Sequence, residues 1–131
     1  MNSSNKVVKY HDGTGIYEAD VELIIENSCI LKFSLKNGDV YIAEGDDFFS
    51  CLEEIRSINK AIIYYCKGCK RNVFPSRMAR QMAMGLSAYE TTIGKQARIE
   101  DLVDIFDYED KDLVSDPQDQ YEWQQRWIAT L

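Results

Sequence analysis

Residues 29 to 43 read CILKFSLKNGDVYIA. Apolar residues alternate with other residues from Cys29 to Leu35, and this period of two indicates a strand with one face in the core. Asn37-Gly38 then gives the strongest short hairpin signal, because both residues tolerate the positive φ angles of a tight turn. The apolar run from Val40 to Ala43 follows, so the segment predicts an antiparallel β-hairpin.

The residues on either side of this hairpin predict a strand and a helix. From Tyr17 to Glu26, apolar and acidic residues first alternate, and the run then becomes more continuously apolar, as in a strand. After the hairpin, Asp46 or Asp47 can cap a helix that ends near Asn59-Lys60. The apolar residues of this helix recur at helical spacing and are Phe48, Leu52, Ile55 and Ile58. We expect them to pack on the sheet.

The middle of the chain carries an apolar run followed by a loop. Ala61 to Cys66 is short, apolar and aromatic, and this composition is typical of a central strand buried on both faces. Residues 67–75 contain a glycine, several charged residues and a proline, so they predict a loop. Ser76 can then cap a short helix that ends near Gly85. Its expected apolar side holds Met78, Ala79, Met82 and Ala83.

The last third of the chain predicts two strands and a helix. Ala88 to Ile93 is typical of a strand, Gly94-Lys95 of a turn, and Ala97 to Phe106 of a second strand. Residues 97–106 also fit a helical stripe, and the preceding turn favours the strand. Asp116-Pro117 predicts a helix start, because an N-cap residue precedes proline at the first helical position. The residues expected to pack this C-terminal helix onto the sheet are Tyr121, Trp127, Ile128 and Leu131.

Length and composition limit the architecture. The 131 residues fit one domain of common size, with 45% apolar and 28% charged residues. We predict a single α+β domain over residues 1–131, with a mostly antiparallel sheet and two to three packed helices, one of them C-terminal. Residues 1–15 are predicted to be flexible or an edge strand. Since no apolar run is typical of a membrane span or a secretory signal, the expected compartment is the cytoplasm.

The charges are sorted along the chain. Residues 61–98 contain seven Lys and Arg against one acid, whereas residues 99–131 contain ten acids against two bases, and the whole chain has a net charge of −7. A carboxylate-rich face can attract a basic protein at long range. The alternatives are a solvated face that keeps the protein soluble and internal pairing with the basic segment. The candidate binding residues are Asp101, Asp104, Asp107, Glu109, Asp110 and Asp112, with Asp46 and Asp47 as a second group.

Four cysteines raise the question of a metal or redox site. Cys29 and Cys51 lie in apolar surroundings and are expected to be small buried side chains. Cys66 and Cys69 have the spacing of half a zinc knuckle, but a second pair of ligands is missing. A thioredoxin-like thiol needs a helix N-terminus, and a loop is predicted after Cys66 instead. His11, the sole histidine, lies in a polar stretch, so we predict no metal, no cofactor and no catalytic site.

The basic segment offers an alternative function. Lysine and arginine can contact phosphates, and the aromatic residues nearby can stack on bases. An acidic chain repels a polyanion unless the fold separates its two kinds of charge. Nucleic-acid binding through residues 67–80 is therefore kept as the alternative to protein binding. The residues concerned are Lys67, Lys70, Arg71, Arg77 and Arg80.

Several motifs resemble one group of small bacterial proteins. They are Asn72-Val73-Phe74-Pro75-Ser76-Arg77-Met78-Ala79-Arg80-Gln81-Met82, Gly85, Ala88-Tyr89, Gly94 and Asp101-Leu102-Val103-Asp104-Ile105-Phe106-Asp107. With these motifs the chain resembles immunity proteins of polymorphic toxin systems, of which contact-dependent growth inhibition is the best known. The similarity extends upstream through Asn37-Gly38-Asp39 and Asp47-Phe48-Phe49 and downstream to Trp127.

The resemblance implies a function but no architecture. It implies a cytoplasmic, non-catalytic protein that binds one cognate toxin domain, often a nuclease, and blocks its active site or substrate groove. Because immunity proteins have many unrelated folds, it implies neither a fixed fold nor a fixed set of contact residues. The charge of the chain supports the same kind of partner. A nuclease must be basic to hold nucleic acid, and an acidic protein complements a basic one.

Overall fold

The structure, a computed structural model, describes residues 2–131. The strands in this range are β1 (Asn2–His11), β2 (Ile16–Ile25), β3 (Cys29–Ser34), β4 (Val40–Gly45), β5 (Ile63–Tyr64), β6 (Val73–Phe74), β7 (Ser87–Glu90) and β8 (Leu102–Asp104). The helices are α1 (Phe48–Ile58), α2 (Arg77–Met82) and α3 (Pro117–Ala129), and 3₁₀ turns cover Lys67–Cys69 and Ile99–Asp101. The predicted α+β class, with antiparallel sheets and a C-terminal helix, is confirmed.

Five strands form an antiparallel sheet in the order β4-β3-β2-β1-β5. The hairpin predicted from residues 29–43 is confirmed, and β3 pairs with β4 so that Phe33 lies opposite Tyr41. Gly38 in its turn has a φ of +97°, a conformation that glycine adopts without strain. The strand predicted at residues 17–26 is confirmed as β2, which pairs with β1 on one side and β3 on the other.

The N-terminal strand β1 has two different sides. On one side it pairs with β2 along its whole length. On the other side it pairs with β5 only at Tyr10 and His11. The stretch 1–15, predicted to be flexible or an edge strand, thus holds this ten-residue strand, and Met1 lies outside the described residues.

One face of the five-stranded sheet packs against α1. The inward side chains alternate along β2 and β3 and include the buried residues Val21, Leu23, Leu31 and Phe33. The predicted helix is confirmed, and its cap is Asp47, whose carboxylate accepts a hydrogen bond from Ser50 N at 2.8 Å. Ile58, predicted to pack on the sheet, is 48% exposed because it is the last helical residue. The helix contributes Phe48, Leu52 and Ile55 to the core.

The prediction of a central strand at residues 61–66 is wrong. The strand there, β5, has two residues and lies at the edge of the sheet beside β1. Ile63 in it is 39% exposed, so only one of its faces is buried. The chain leaves the sheet because Cys66 begins a 3₁₀ turn, closed by a hydrogen bond from Cys69 N to Cys66 O at 3.0 Å. The predicted loop at residues 67–75 therefore contains this turn and the short strand β6.

A second antiparallel sheet has the order β6-β7-β8. The strand predicted at residues 88–93 is observed as β7, which is shorter, and a turn is present at Gly94-Lys95 as predicted. Residues 97–106, predicted as one strand with a helix as the alternative, divide into a 3₁₀ turn and the three-residue β8. The turn forms because the Asp101 carboxylate accepts a hydrogen bond from Arg98 N at 2.9 Å.

The apolar side predicted for the short helix α2 is wrong for its two methionines, whereas Ala79 and Ala83 are half-buried. Ser76 caps this helix as predicted, but Met78 and Met82 are 71% and 81% exposed. The inward residue is Arg80, which contacts the carboxylate of Asp47 at 3.2 Å. Its guanidinium also lies over the ring of Phe49, at 5.3 Å from the centroid. The helix turns its methionines outward because a charged side chain anchors it.

The face predicted for the C-terminal helix is also wrong in part. Asp116 caps α3 and Pro117 is its first residue, as predicted. Trp127 packs against the core as expected, but the other three expected residues are exposed: Tyr121, Ile128 and Leu131. The inward face instead presents Gln120 and Trp123. The inward face of α3 lies against the backbone carbonyls of Gly68, Lys70 and Val73. A polar side chain, Gln120, is needed there to donate hydrogen bonds to them.

Candidate functional site

The acidic edge, which we define as residues 99–112, contains both free and partnered carboxylates. Asp107 and Asp110 are exposed, and neither takes part in an ion pair among residues 2–131. Asp46, from the second group of candidates, is exposed in the same way. These three side chains are the candidates that a partner could contact without breaking an internal ion pair.

Three other candidates are partnered. Asp104 at the end of β8 lies 3.9 Å from Nζ of Lys6 in β1. Asp112 lies 3.1 Å from Nε of Arg71. The Asp101 carboxylate accepts a backbone hydrogen bond and caps the 3₁₀ turn before β8. Both ion pairs are substantially exposed, so their net stabilisation is small and a partner could displace them.

Glu109 is the most constrained carboxylate of the acidic edge. It is 7% exposed and lies 3.1 Å from Nζ of Lys67 and 2.8 Å from Nζ of Lys70. Glu90 contacts the same two ammonium groups and completes a four-membered ion cluster. Burial favours the neutral acid, but hydrogen bonds from Lys70 and Lys67 outweigh it and lower the pKa of Glu109 to about 2. The Glu109 carboxylate is therefore engaged in internal ion pairs that tie the acidic edge to the basic turn.

Asp47 is likewise engaged inside the protein. It is 5% exposed, caps α1 and pairs with Arg80 of α2. Gly85, which follows α2, has a φ of +70°, and a Cβ there would lie 2.7 Å from the Asp47 carboxylate. Glycine at this position lets α2 approach the start of α1. Asp47 is thus a structural residue in this fold.

The acidic edge also presents apolar side chains to solvent. Ile99 is 79% exposed, Leu102 is 39% exposed and Tyr108 is 56% exposed. They belong to the same stretch of chain as the free carboxylates of Asp107 and Asp110. Exposed apolar groups with charged neighbours are the usual composition of protein-binding surfaces. The sequence pattern did not reveal this exposure, because it indicated only that residues 97–106 form a strand or a helical stripe.

Most of the basic segment is neutralised internally. The ion pairs are Lys67 and Lys70 with Glu90 and Glu109, Arg71 with Asp112, and Arg80 with Asp47. Of the five basic residues that could contact phosphates, only Arg77 lacks an ion pair among the described residues. Most basic residues of this segment are thus paired with carboxylates inside the protein. Such internal pairing is one of the explanations considered for the sorted charges.

Cys66 and Cys69 lie side by side in the 3₁₀ turn. Both thiols are buried, and their Sγ atoms are 3.6 Å apart. The hydrogen bond to Cys69, together with burial, raises the pKa of Cys66. Gly68 between them excludes a side chain, because a Cβ there would lie 2.6 Å from Leu52 Cδ2. Among residues 2–131, no group of three or more His, Cys, Asp or Glu side chains is arranged to hold a metal ion.

Between residues 2 and 131 the structure has no helix of the length and apolar character needed to cross a bilayer. A scan against protein-family models found no match to the chain. A search of curated proteins found no match either.

Proposed function

We propose that this chain is a cytoplasmic immunity protein that binds and neutralises one cognate toxin domain, a nuclease. It acts by occupying the toxin's basic surface and sterically blocking access to the active site. The acidic edge is the proposed contact surface, with Asp107 and Asp110 as its free charges. No bond is made or broken by this protein in the proposed role.

One observation carries the proposal. Ile99, Leu102 and Tyr108 are exposed on the acidic edge, the stretch of chain that also holds the unpaired carboxylates of Asp107 and Asp110. A solvated face that serves solubility alone needs the charges but not the exposed apolar groups. An interface uses both, because apolar burial supplies affinity while charge speeds the encounter and selects a basic partner. The net charge of −7 also attracts a basic partner at long range.

Nucleic-acid binding is less well supported than protein binding. Four of the five candidate phosphate contacts already have carboxylate partners, and a polyanion would have to displace those carboxylates. The displaced groups would include Glu109, which is nearly buried. Such an exchange replaces internal charge pairs without adding any, so the geometry favours a basic protein as partner.

The test uses a double charge reversal, Asp107→Lys with Asp110→Lys. The probe is the cognate toxin domain in a catalytically inactive form, to be sought in the reading frames that neighbour the one for this chain. We expect the association rate constant to fall at least about tenfold at low salt, because long-range attraction is weakened. We also expect the salt dependence of that rate to become shallower. Stopped-flow or surface-based kinetics measure both quantities.

Glu54→Lys is the matched control for this test. Glu54 is exposed on α1 and has no ion pair among residues 2–131, so its reversal changes net charge without touching the acidic edge. The control changes the net charge by +2 and the double variant by +4, so a control that loses half as much of the logarithm of the rate would show that only total charge matters. Unchanged kinetics in the double variant would place the interface elsewhere. Failure of the wild-type chain to bind the probe would refute the proposed function.

A further inference from the structure

The free side of β1 carries a row of unpaired backbone groups. The carbonyl of Lys9 accepts a hydrogen bond from Tyr65 N at 2.8 Å, so Lys9 faces away from β2. Because successive residues of a strand bond to opposite neighbours, Ser3, Asn5 and Val7 face the same way as Lys9. None of these three has a backbone partner on that side among residues 2–131. All three are exposed.

The edge is open because the neighbouring strand leaves it. After Tyr65 the chain turns toward the segment that follows β8, where Lys67 N donates to Asp107 O and Gly68 N donates to Ile105 O, both at 2.8 Å. These bonds draw the chain away from β1. The N-terminal part of β1 is therefore an edge of the kind to which another extended chain can add by main-chain hydrogen bonds.

Carboxylates flank this edge on both faces of the sheet. Behind it, on the face away from α1, a hollow of 320 Å³ is lined by Asn5 and Val7 and by the carboxylates of Asp20 and Glu22. Neither carboxylate takes part in an ion pair among the described residues, although Lys32 also lines the hollow. Two interstrand spacings, about 9.5 Å, separate β2 from a strand added to β1. A lysine or arginine on the added strand can span that distance.

The opposite face places part of the acidic edge near β1. Asp104 reaches Lys6 at 3.9 Å, in a pair whose side chains are both 40% exposed. Lys9 points to the face of the hollow, as Asn5 and Val7 do, and its Nζ lies 5.7 Å from the centroid of the Tyr108 ring. The segment from Asp104 to Tyr108 is thus tethered beside β1. A cationic side chain arriving on this face can take Lys6's place at Asp104.

We propose that the open edge of β1 binds an extended, lysine- or arginine-bearing segment of the toxin domain as an added strand. This inference rests on the proposed function and names where and how the partner is held. The main-chain contacts are made by Ser3, Asn5 and Val7, and the side-chain contacts by Asp20, Glu22 and Asp104. A second copy of this chain fits less well, because it brings a further net charge of −7 to the same edge.

The test uses amide hydrogen exchange on the full chain, with a synthetic decapeptide of alternating lysine and threonine as the probe. We expect saturating peptide to slow exchange at Ser3, Asn5 and Val7 at least about tenfold, because these N–H groups gain acceptors. The amides of Lys6 and Val8 already face β2 and should change little. A peptide with glutamate in place of lysine should have no effect. Unchanged exchange at the three amides, or equal protection by both peptides, would overturn the proposal.

Two variants separate the main-chain contact from side-chain effects. Asn5→Pro removes an N–H that the free protein leaves unpaired, so the fold should survive while peptide binding is lost. Asn5→Thr keeps the N–H and should bind as the wild type does. The exchange experiment on the wild type stands even if the proline variant misfolds. Retained binding by a folded Asn5→Pro variant would contradict the inference.

The outcomes also distinguish this inference from the proposed function. The peptide experiment needs no toxin, so failure of toxin binding does not affect its result. Toxin binding that leaves the three amides unprotected would refute the added strand while leaving the function intact. Dimerisation of the free chain with protection of the same amides, measured by analytical ultracentrifugation, would assign the edge to a second copy instead.

Discussion

Glu109 links two segments of opposite charge. Its carboxylate accepts hydrogen bonds from the backbone N–H groups of Asp110 and Lys111 and contacts the ammonium groups of Lys67 and Lys70. The Glu109 carboxylate therefore fixes the acidic edge to the turn between β5 and β6. Lys67 and Lys70 of that turn neutralise its charge. This arrangement stabilises the fold only while Glu109 is ionised, so stability depends on pH.

We expect Glu109→Gln to lower the free energy of unfolding at neutral pH by about 2 kcal/mol, because two ammonium groups lose a charged acceptor. The folded-state pKa of Glu109, about 2, lies below the usual glutamate pKa of 4.5. The stabilisation is therefore complete above about pH 4.5 and is lost as the pH falls toward 2. The difference between wild type and variant should shrink over that interval in urea unfolding curves.

Glu54→Gln is the control, because that side chain is exposed and unpaired among the described residues. Its effect should be small at every pH. A stability difference for Glu109→Gln that stays constant down to about pH 2.5 would contradict the role assigned to this carboxylate.

At the scale of elements, the Gln120 amide links α3 to the turn between β5 and β6 and to Arg56 of α1. Gln120 Nε2 lies within 3.0 Å of the carbonyl oxygens of Gly68, Lys70 and Val73, and its Oε1 accepts from Arg56 at 2.6 Å. The helix thereby supplies a donor to carbonyls of the 3₁₀ turn, of Lys70 after it, and of Val73 at the start of β6. Arg56, itself 1% exposed, depends on the same amide for one of its acceptors.

We expect Gln120→Ala to destabilise the protein by about 3 kcal/mol, because it leaves buried carbonyls and a buried guanidinium without partners. Gln118→Ala on the same helix is the matched control, since that side chain is exposed. Its effect should stay within about 0.5 kcal/mol. Thermal and urea unfolding followed by circular dichroism measure both variants. Equal effects of the two substitutions would show that α3 is held by its tryptophans instead.

The elements also show what the sequence could predict. The β3-β4 hairpin and the caps at Asp47, Ser76 and Asp116 depend on neighbouring residues, and local patterns found them. The inward faces of α2 and α3 depend on Arg80 and Gln120, whose partners are distant along the chain, and periodicity therefore chose the wrong sides. The charge pattern along the chain likewise identified the candidate acidic residues from the sequence alone. Which of them are free was decided by lysines and arginines from other elements.

At the scale of the whole molecule, two sheets share one core. The cluster of buried residues includes Leu31 from the five-stranded sheet and Val73 and Ala88 from the three-stranded sheet. The turn containing Gly68 lies between them, packed against Leu52 of α1 and Ile105 after β8. Neither sheet can be exposed to water without opening this shared core. We therefore expect the two sheets to unfold together.

Leu31→Ala tests this cooperativity from the five-stranded side. Leu31 is fully buried, so the substitution should lower the free energy of unfolding by about 3 kcal/mol. The two tryptophans, Trp123 and Trp127, lie on α3 and pack near the three-stranded sheet, as shown by the contact of Trp127 with Phe74. Because one core unfolds as a unit, tryptophan fluorescence and far-ultraviolet circular dichroism should report the same shifted midpoint. Ile42→Ala, at a site 57% exposed on the outer face, should barely shift either signal. A fluorescence midpoint that stays at the wild-type value in Leu31→Ala would show instead that the three-stranded side unfolds independently.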